Sequence, residues 1–310
     1  MIDRRSFFSA SAAAFLFLAT AQTAHAQTQI ETIASNTIIA DLVAQVGGER
    51  IKVETLVGAG VDAHVFQPAP ADARRVAAAR LVFVNGLGLE GWLPRLVQAT
   101  GGKAHIVTLS KGVKPIREKG NAHGHSHGHG HGHGEGLDPH AWQDVANTKI
   151  YVANIRDALT GADPQGRDVY QTRANAYLAE LDKLDADIRK TIGAIPEASR
   201  RIITTHDAFG YFTRAYSLRF IAPQGVSTEA EISSRDVARI IRQIKAEKIT
   251  AIFIESAADE RIMIQIARET GARIGGRLYA DALTAKDGPA PTYIAMMQHN
   301  LRAFAEALQR

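Results

Sequence analysis

An alternation of short strands and helices runs along this chain, stops and starts again. Short β-branched runs at 30–34, 51–57, 81–85 and 104–109 read as strands, and the stretches 37–46, 71–79 and 89–99 between them read as helices. The same alternation resumes later, with strands at 201–205, 218–222, 249–255 and 273–280 and helices at 208–215, 234–247, 260–270 and 291–308. Strands that alternate with helices predict a mostly parallel sheet covered by helices. Two such series predict two α/β, Rossmann-like lobes. Between them, a helix at 144–159 is followed by a longer one behind Pro164. There Tyr170, Ala174, Tyr177, Leu181, Leu184 and Ile188 recur at three- and four-residue spacing. A helix reaching to residue 192 would be about 40 Å long at 1.5 Å per residue. No neighbouring helix approaches that length, so it is expected to join the halves.

The first residues read as a secretory leader. Asp3-Arg4-Arg5 is a short charged region, 6–20 is apolar and small, and Ala24-His25-Ala26 is a small-x-small cleavage site before Gln27. Arg4-Arg5-Ser6-Phe7-Phe8 also resembles a twin-arginine export signal. The apolar run is shorter than the roughly 20 residues a membrane-spanning helix needs. The expected organisation is a signal peptide at 1–26, an N-terminal lobe at 27–160, a linking helix at 161–195 and a C-terminal lobe at 196–310. The formal charge is +4, and small once dispersed over helices, so nucleic acid is not an expected partner. The sequence contains no cysteine. Disulfides and thiolate sites are excluded, any metal must be held by His, Asp or Glu, and the protein is expected free rather than lipid-anchored.

Histidine is where the chemistry concentrates. Within a Gly- and His-rich stretch at 111–136, six imidazoles alternate with small residues: His123, His125, His127, His129, His131 and His133. A flexible arm of this kind suits auxiliary capture of a borderline-soft cation, but it would lose entropy in every complex it formed. Four other positions stand out by placement. His64 lies between a strand and a helix, His140 just before a helix, His206 at the end of a strand, and Asp281 at the end of another. Ligands of open α/β sheets sit outside the carboxyl ends of the strands. Two positions come from each half, which suggests a cleft between them. His25, His105 and His299 have no such placement.

Several stretches carry a specific resemblance: 57–70 (VGAGVDAHVFQPAP), 84–92 (VNGLGLEGW), 138–142 (DPHAW), 205–212 (THDAFGYF) and 276–300 (GRLYADALTAKDGPAPTYIAMMQHN). In this order they resemble the metal-specific solute-binding proteins of ABC importers, particularly the high-affinity zinc-uptake (ZnuA-like) branch. The resemblance implies two lobes, a rigid linking helix and metal in the cleft. It assigns His64, His140, His206 and Asp281 as ligands of a transported Zn2+, and implies a periplasmic, monomeric, non-enzymatic protein. Its partners would be a cognate inner-membrane permease and a periplasmic zinc donor. The manganese branch typically carries glutamate where this chain has His206, so three neutral imidazoles and one carboxylate argue for zinc. Two departures stand out. Some members have a disulfide in the second half, which here must be held by packing alone. The turn 58–64 lacks the more usual prolines, which is expected to loosen the first ligand.

Other functions remain open at the level of sequence. A zinc hydrolase would use the three histidines, leave a position for water, and take Glu229, Glu231 or Glu255 as base. The chain has no HExxH motif and no phosphate loop. A zinc buffer or chaperone without a transporter, or a surface adhesin, would share the site and differ only in partner.

Overall fold

The computed structural model describes residues 29–102, 104–117, 136–256 and 258–309. The leader at 1–26 and the histidines from His123 to His133 lie outside the described residues. The first half carries strands β1 (Ile30–Asn36), β2 (Ile51–Val57), β3 (Leu81–Val84) and β4 (Ile106–Thr108), with helices α1 (Thr37–Gly47), α2 (Pro70–Ala78) and α3 (Leu93–Ala99) between them. Helices α4 (Val145–Ala162) and α5 (Arg167–Gly193) follow. The second half runs β5 (Arg201–Ile203), α6 (Gly210–Tyr216), β6 (Arg219–Ile221), α7 (Ser234–Glu247), β7 (Ala251–Glu255), α8 (Glu260–Thr270), β8 (Arg273–Leu278) and α9 (Tyr293–Leu308).

Each half forms a four-stranded sheet with the same topology, β2-β1-β3-β4 and β6-β5-β7-β8. All pairings are parallel. The expected pair of α/β units is therefore observed. Parallel strands covered on both faces need near-continuous apolar runs, and Leu81-Val82-Phe83-Val84 and Ala251-Ile252-Phe253-Ile254 supply them. Helix starts follow local chemistry. The side chains of Asn36, Asp144, Ser233, Asp259 and Thr292 each accept a backbone N–H of the first turn. The third helix begins at Leu93 rather than at 89. Gly86, Leu87 and Gly88 take positive φ, and Glu90 accepts the backbone N–H groups of Asn85 and Gly86, so the chain turns before it can coil.

The long helix α5 buries Tyr170, Ala174, Tyr177, Leu181, Leu184, Ile188 and Ile192. It packs against α1 and α4 of the first half and α6 and α9 of the second. The main apolar core consequently runs through both halves, and a smaller cluster lies between α7, α8 and their sheet. Hydrogen bonds also cross between halves. Trp142 Nε1 and Gln143 Nε2 donate to Ala280 O at 2.9 and 3.1 Å. Tyr293 OH donates to Trp142 O at 2.7 Å, and Leu283 N to Thr37 Oγ1 at 2.8 Å. No described helix is long and apolar enough to cross a membrane.

Candidate metal centre

Each of the four singled-out residues reaches the site from a loop at the rim of a sheet or helix. His64 sits in the loop after β2, which has no regular structure. His140 lies in the turn before α4. His206 follows β5, and Asp281 follows β8. Side chains that are dispersed in sequence meet because every one of these segments ends at the crevice between the sheets.

The four residues are buried, with relative exposures of 6% for His64, 0% for His140, 2% for His206 and 6% for Asp281. One potential ligand atom from each lies within 4.8 Å of all the others. His140 Nε2 is 3.2 Å from His64 Nε2 and 3.3 Å from His206 Nε2. Asp281 Oδ1 lies 3.4 Å from His140 Nε2, and Asp281 Oδ2 lies 3.1 Å from His206 Nε2. Bonds of about 2.0–2.1 Å from a tetrahedral zinc give ligand–ligand edges of about 3.3 Å. These four separations are close to such edges, and all four residues offer a ligand atom within 4.8 Å of the others, so the cluster could hold one ion. Asp281 Oδ1 is also a buried oxygen without a hydrogen-bond partner, a costly arrangement that a bound cation relieves.

Two further carboxylates orient the rings. Asp138 Oδ1 accepts from His140 Nδ1 at 2.8 Å and from His140 N at 2.9 Å. Glu255, at the end of β7, accepts from His206 Nδ1 through Oε2. Its Oε1 accepts from Thr205 N at 2.9 Å and His206 N at 3.1 Å. A carboxylate holding the Nδ1 proton directs Nε2 at the metal position. His64 is held through its backbone, with His64 N donating to Asp62 Oδ1 at 2.8 Å.

These surroundings shift the charges. Burial and the neighbouring histidines push His64 down to about 4, against the pull of Asp281 and Asp62, so its ring is neutral at pH 7. Burial also opposes a charge on His206, but the Glu255 and Asp281 carboxylates outweigh it and hold that ring well above the usual histidine range. Burial works against ionisation of Asp281 too, and His206, His140 and His64 overcome it, keeping the carboxylate well below its usual range.

The four residues expected from the sequence to share a cleft do lie together. The sequence reading gave Asp138 and Asp62 no role, and considered Glu255 only as a base in the hydrolase alternative. A signal for the two aspartates was available. Asp62-x-His64 and Asp138-x-His140 share a spacing at which an Asp side chain caps the backbone N–H two residues on. Glu255 had no comparable local signal, because it comes from a different strand.

Residues 33–307 match the family described as ZnuA, zinc-uptake complex component A, periplasmic. The chain belongs to this ZnuA family. Among relatives, the manganese-binding lipoprotein MntA of Halalkalibacterium halodurans is 32% identical over 283 residues, covering 91% of this chain and 89% of its own. The iron ABC transporter substrate-binding lipoprotein MtsA of Streptococcus pyogenes is 30% identical over 289 residues, covering 91% and 90%. The solved periplasmic zinc-binding protein TroA of Treponema pallidum superposes with a TM-score of 0.83 at 29% identity, covering 91% of this chain and all of its own. The ZnuA family is thus one of metal-binding substrate-binding proteins of ABC importers, and its members' names differ in the metal.

Proposed function

We propose that this ZnuA-family protein captures Zn2+ in the periplasm through His64, His140, His206 and Asp281 and delivers it to an ABC permease in the inner membrane. The observation that carries this reading is the cluster of four potential ligands, in which the separations around His140 and between His206 and Asp281 are 3.1–3.4 Å, close to the edges of a tetrahedral zinc site. Three imidazoles and one carboxylate form a borderline-soft donor set. Manganese and iron(II) bind it more weakly and prefer harder oxygen. Four protein ligands leave no position for a reactive water, which supports a carrier over a hydrolase. The division into a leader at 1–26, lobes at 27–160 and 196–310 and a linker at 161–195 belongs to this reading, as does a monomeric state. So does the arm carrying His123, His125, His127, His129, His131 and His133, which would gather zinc from solution or from a donor protein.

The names of MntA and MtsA make manganese or iron the competing cargo. Competitive titration of metal-free protein with zinc and manganese against a chromophoric chelator separates the readings. The expected outcome is one tight zinc site that excess manganese does not displace, and that survives deletion of 120–136 while weaker sites vanish. Preferential retention of manganese would transfer the site to the other cargo.

A further inference from the structure

Of the three histidines, His64 is tied down in a different way. Asp138 backs the His140 ring and Glu255 backs the His206 ring. The His64 ring has no carboxylate behind it among the described residues. Its loop is open, with Val61 and Val65 46% and 48% exposed and free space beside Gly58 and Gly60. Two hydrogen bonds hold the segment next to His64: Trp92 Nε1 donates to Ala63 O at 2.9 Å, and His64 N donates to Asp62 Oδ1 at 2.8 Å.

Asp62 has a second oxygen, and it reaches the other half of the molecule. Thr228 Oγ1 donates to Asp62 Oδ2 at 2.6 Å. Thr228 sits in a loop after β6 that is anchored to the His206 strand. Gln224 Nε2 donates to Thr228 O at 3.2 Å and to Ala230 O at 2.8 Å, while Gln224 N donates to Thr205 O at 3.4 Å. One chain of hydrogen bonds therefore runs from the backbone of His64 through Asp62, Thr228 and Gln224 to the residue before His206. Asp62 and Thr228 also line a cavity of about 400 Å³ that His206 and Asp281 border. The two residues joined by this bond thus share a cavity wall with His206 and Asp281.

We propose that the Asp62–Thr228 hydrogen bond is the latch that holds His64 on the metal, making Thr228 a positioning residue for metal release. The inference rests on the four residues binding a cargo ion. With the latch closed, His64 is fixed against the ring of His140. With it broken, the loop keeps its tie to Trp92 but loses its link to the second half, and His64 leaves the ion first. The ion then has three ligands and an open side towards the cavity. His140 and His206 cannot leave this way, because each is held by a buried carboxylate on its own side.

The test is the rate at which zinc-loaded protein gives up its ion to an excess of chelator, measured by stopped flow on the full chain. Thr228→Val keeps the shape and removes the donor. A hydrogen bond to a charged group is strong enough that its loss should speed release about tenfold or more. Thr228→Ser restores the hydroxyl and should restore the slow rate, which a role in packing alone would not produce. Thermal unfolding of the metal-free variants checks that both fold. Release from Thr228→Val at the unaltered rate, or failure of Thr228→Ser to restore it, overturns the latch. Failure of the unaltered protein to bind zinc overturns the cargo reading instead.

Discussion

At the scale of single residues, the centre is built so that its ligands differ in charge before an ion arrives. Burial pushes His64 down to about 4, whereas the Glu255 and Asp281 carboxylates hold His206 well above the usual histidine range and so favour a second proton on its ring. On the proposed zinc reading the ion needs the Nε2 lone pair, so binding displaces a proton held there while Nδ1 keeps its hydrogen bond to Glu255. Loading metal-free protein near pH 7 should release about one proton per ion from this residue. Affinity should accordingly fall as pH falls. Calorimetry in buffers of different ionisation enthalpy counts the protons, and a value of zero would mean that His206 is already neutral. For the metal-free fold the sign is opposite. A raised histidine pKa contributes stability that is complete below the unfolded value of about 6.5 and is lost as pH rises through the folded value. Removing the ring altogether is more severe. His206→Ala should weaken zinc by more than the roughly 10–100-fold typical of losing an outer partner such as Glu255. Asp281→Ala should cost less, because water can take over a carboxylate position. Chelator competition on each variant measures both, and undiminished affinity in His206→Ala would remove that residue from the centre.

At the scale of elements, the second half has to hold together without a disulfide, and aromatic packing takes that role. Phe304 on α9 makes edge-on contacts with Phe209, Phe212, Phe220 and Phe253, with ring centroids 5.5–6.3 Å apart. Phe209 stacks on Phe220 at 4.4 Å. Phe304 is fully buried. Phe304→Ala should therefore lower the unfolding free energy by about 3–5 kcal/mol, measured by urea denaturation of the metal-free protein. A loss below 1 kcal/mol would show that the half is held elsewhere. The elements themselves were largely legible in the sequence, because alternating apolar runs and a three- and four-residue stripe are local patterns. The stripe on α5 was read residue by residue from Tyr170 to Ile188, and all six are buried. The start of α3 was misplaced by four residues, since the turn at 86–90 depends on a buried carboxylate from Glu90 rather than on periodicity. The clustering of His64, His140, His206 and Asp281 was legible from their strand-end placement and the family motifs. Glu255, Thr228 and the second role of Asp62 were not, because each acts across the fold on a residue far away in the chain.

At the scale of the whole molecule, the centre depends on how the two sheets are held relative to each other, since each half supplies two of its four clustered side chains. The seam between them runs directly through the ligand segments. Trp142, two residues after His140, donates to Ala280 O, one residue before Asp281. Gln143 donates to the same carbonyl, and Tyr293 ties Trp142 O to the start of α9. Behind the seam, α5 packs on helices of both halves and shares their core. A hinge between the sheets would have to break this seam and slide buried side chains along a 27-residue helix. The loop at 58–69 is tied to its own half by the Trp92–Ala63 hydrogen bond and the Phe66–Trp92 ring contact, and among the described residues its hydrogen bond to the second half is the one from Thr228. Metal exchange should therefore proceed by local motion around His64 and not by opening of the halves. Crystal structures of the zinc-loaded and metal-free protein should superpose over both sheets and α5 with Cα differences below about 1 Å, as in binding without domain rearrangement. The larger displacements should fall within 58–69. A rigid rotation of one sheet against the other, with Trp142 parted from Ala280, would refute this and make α5 a hinge.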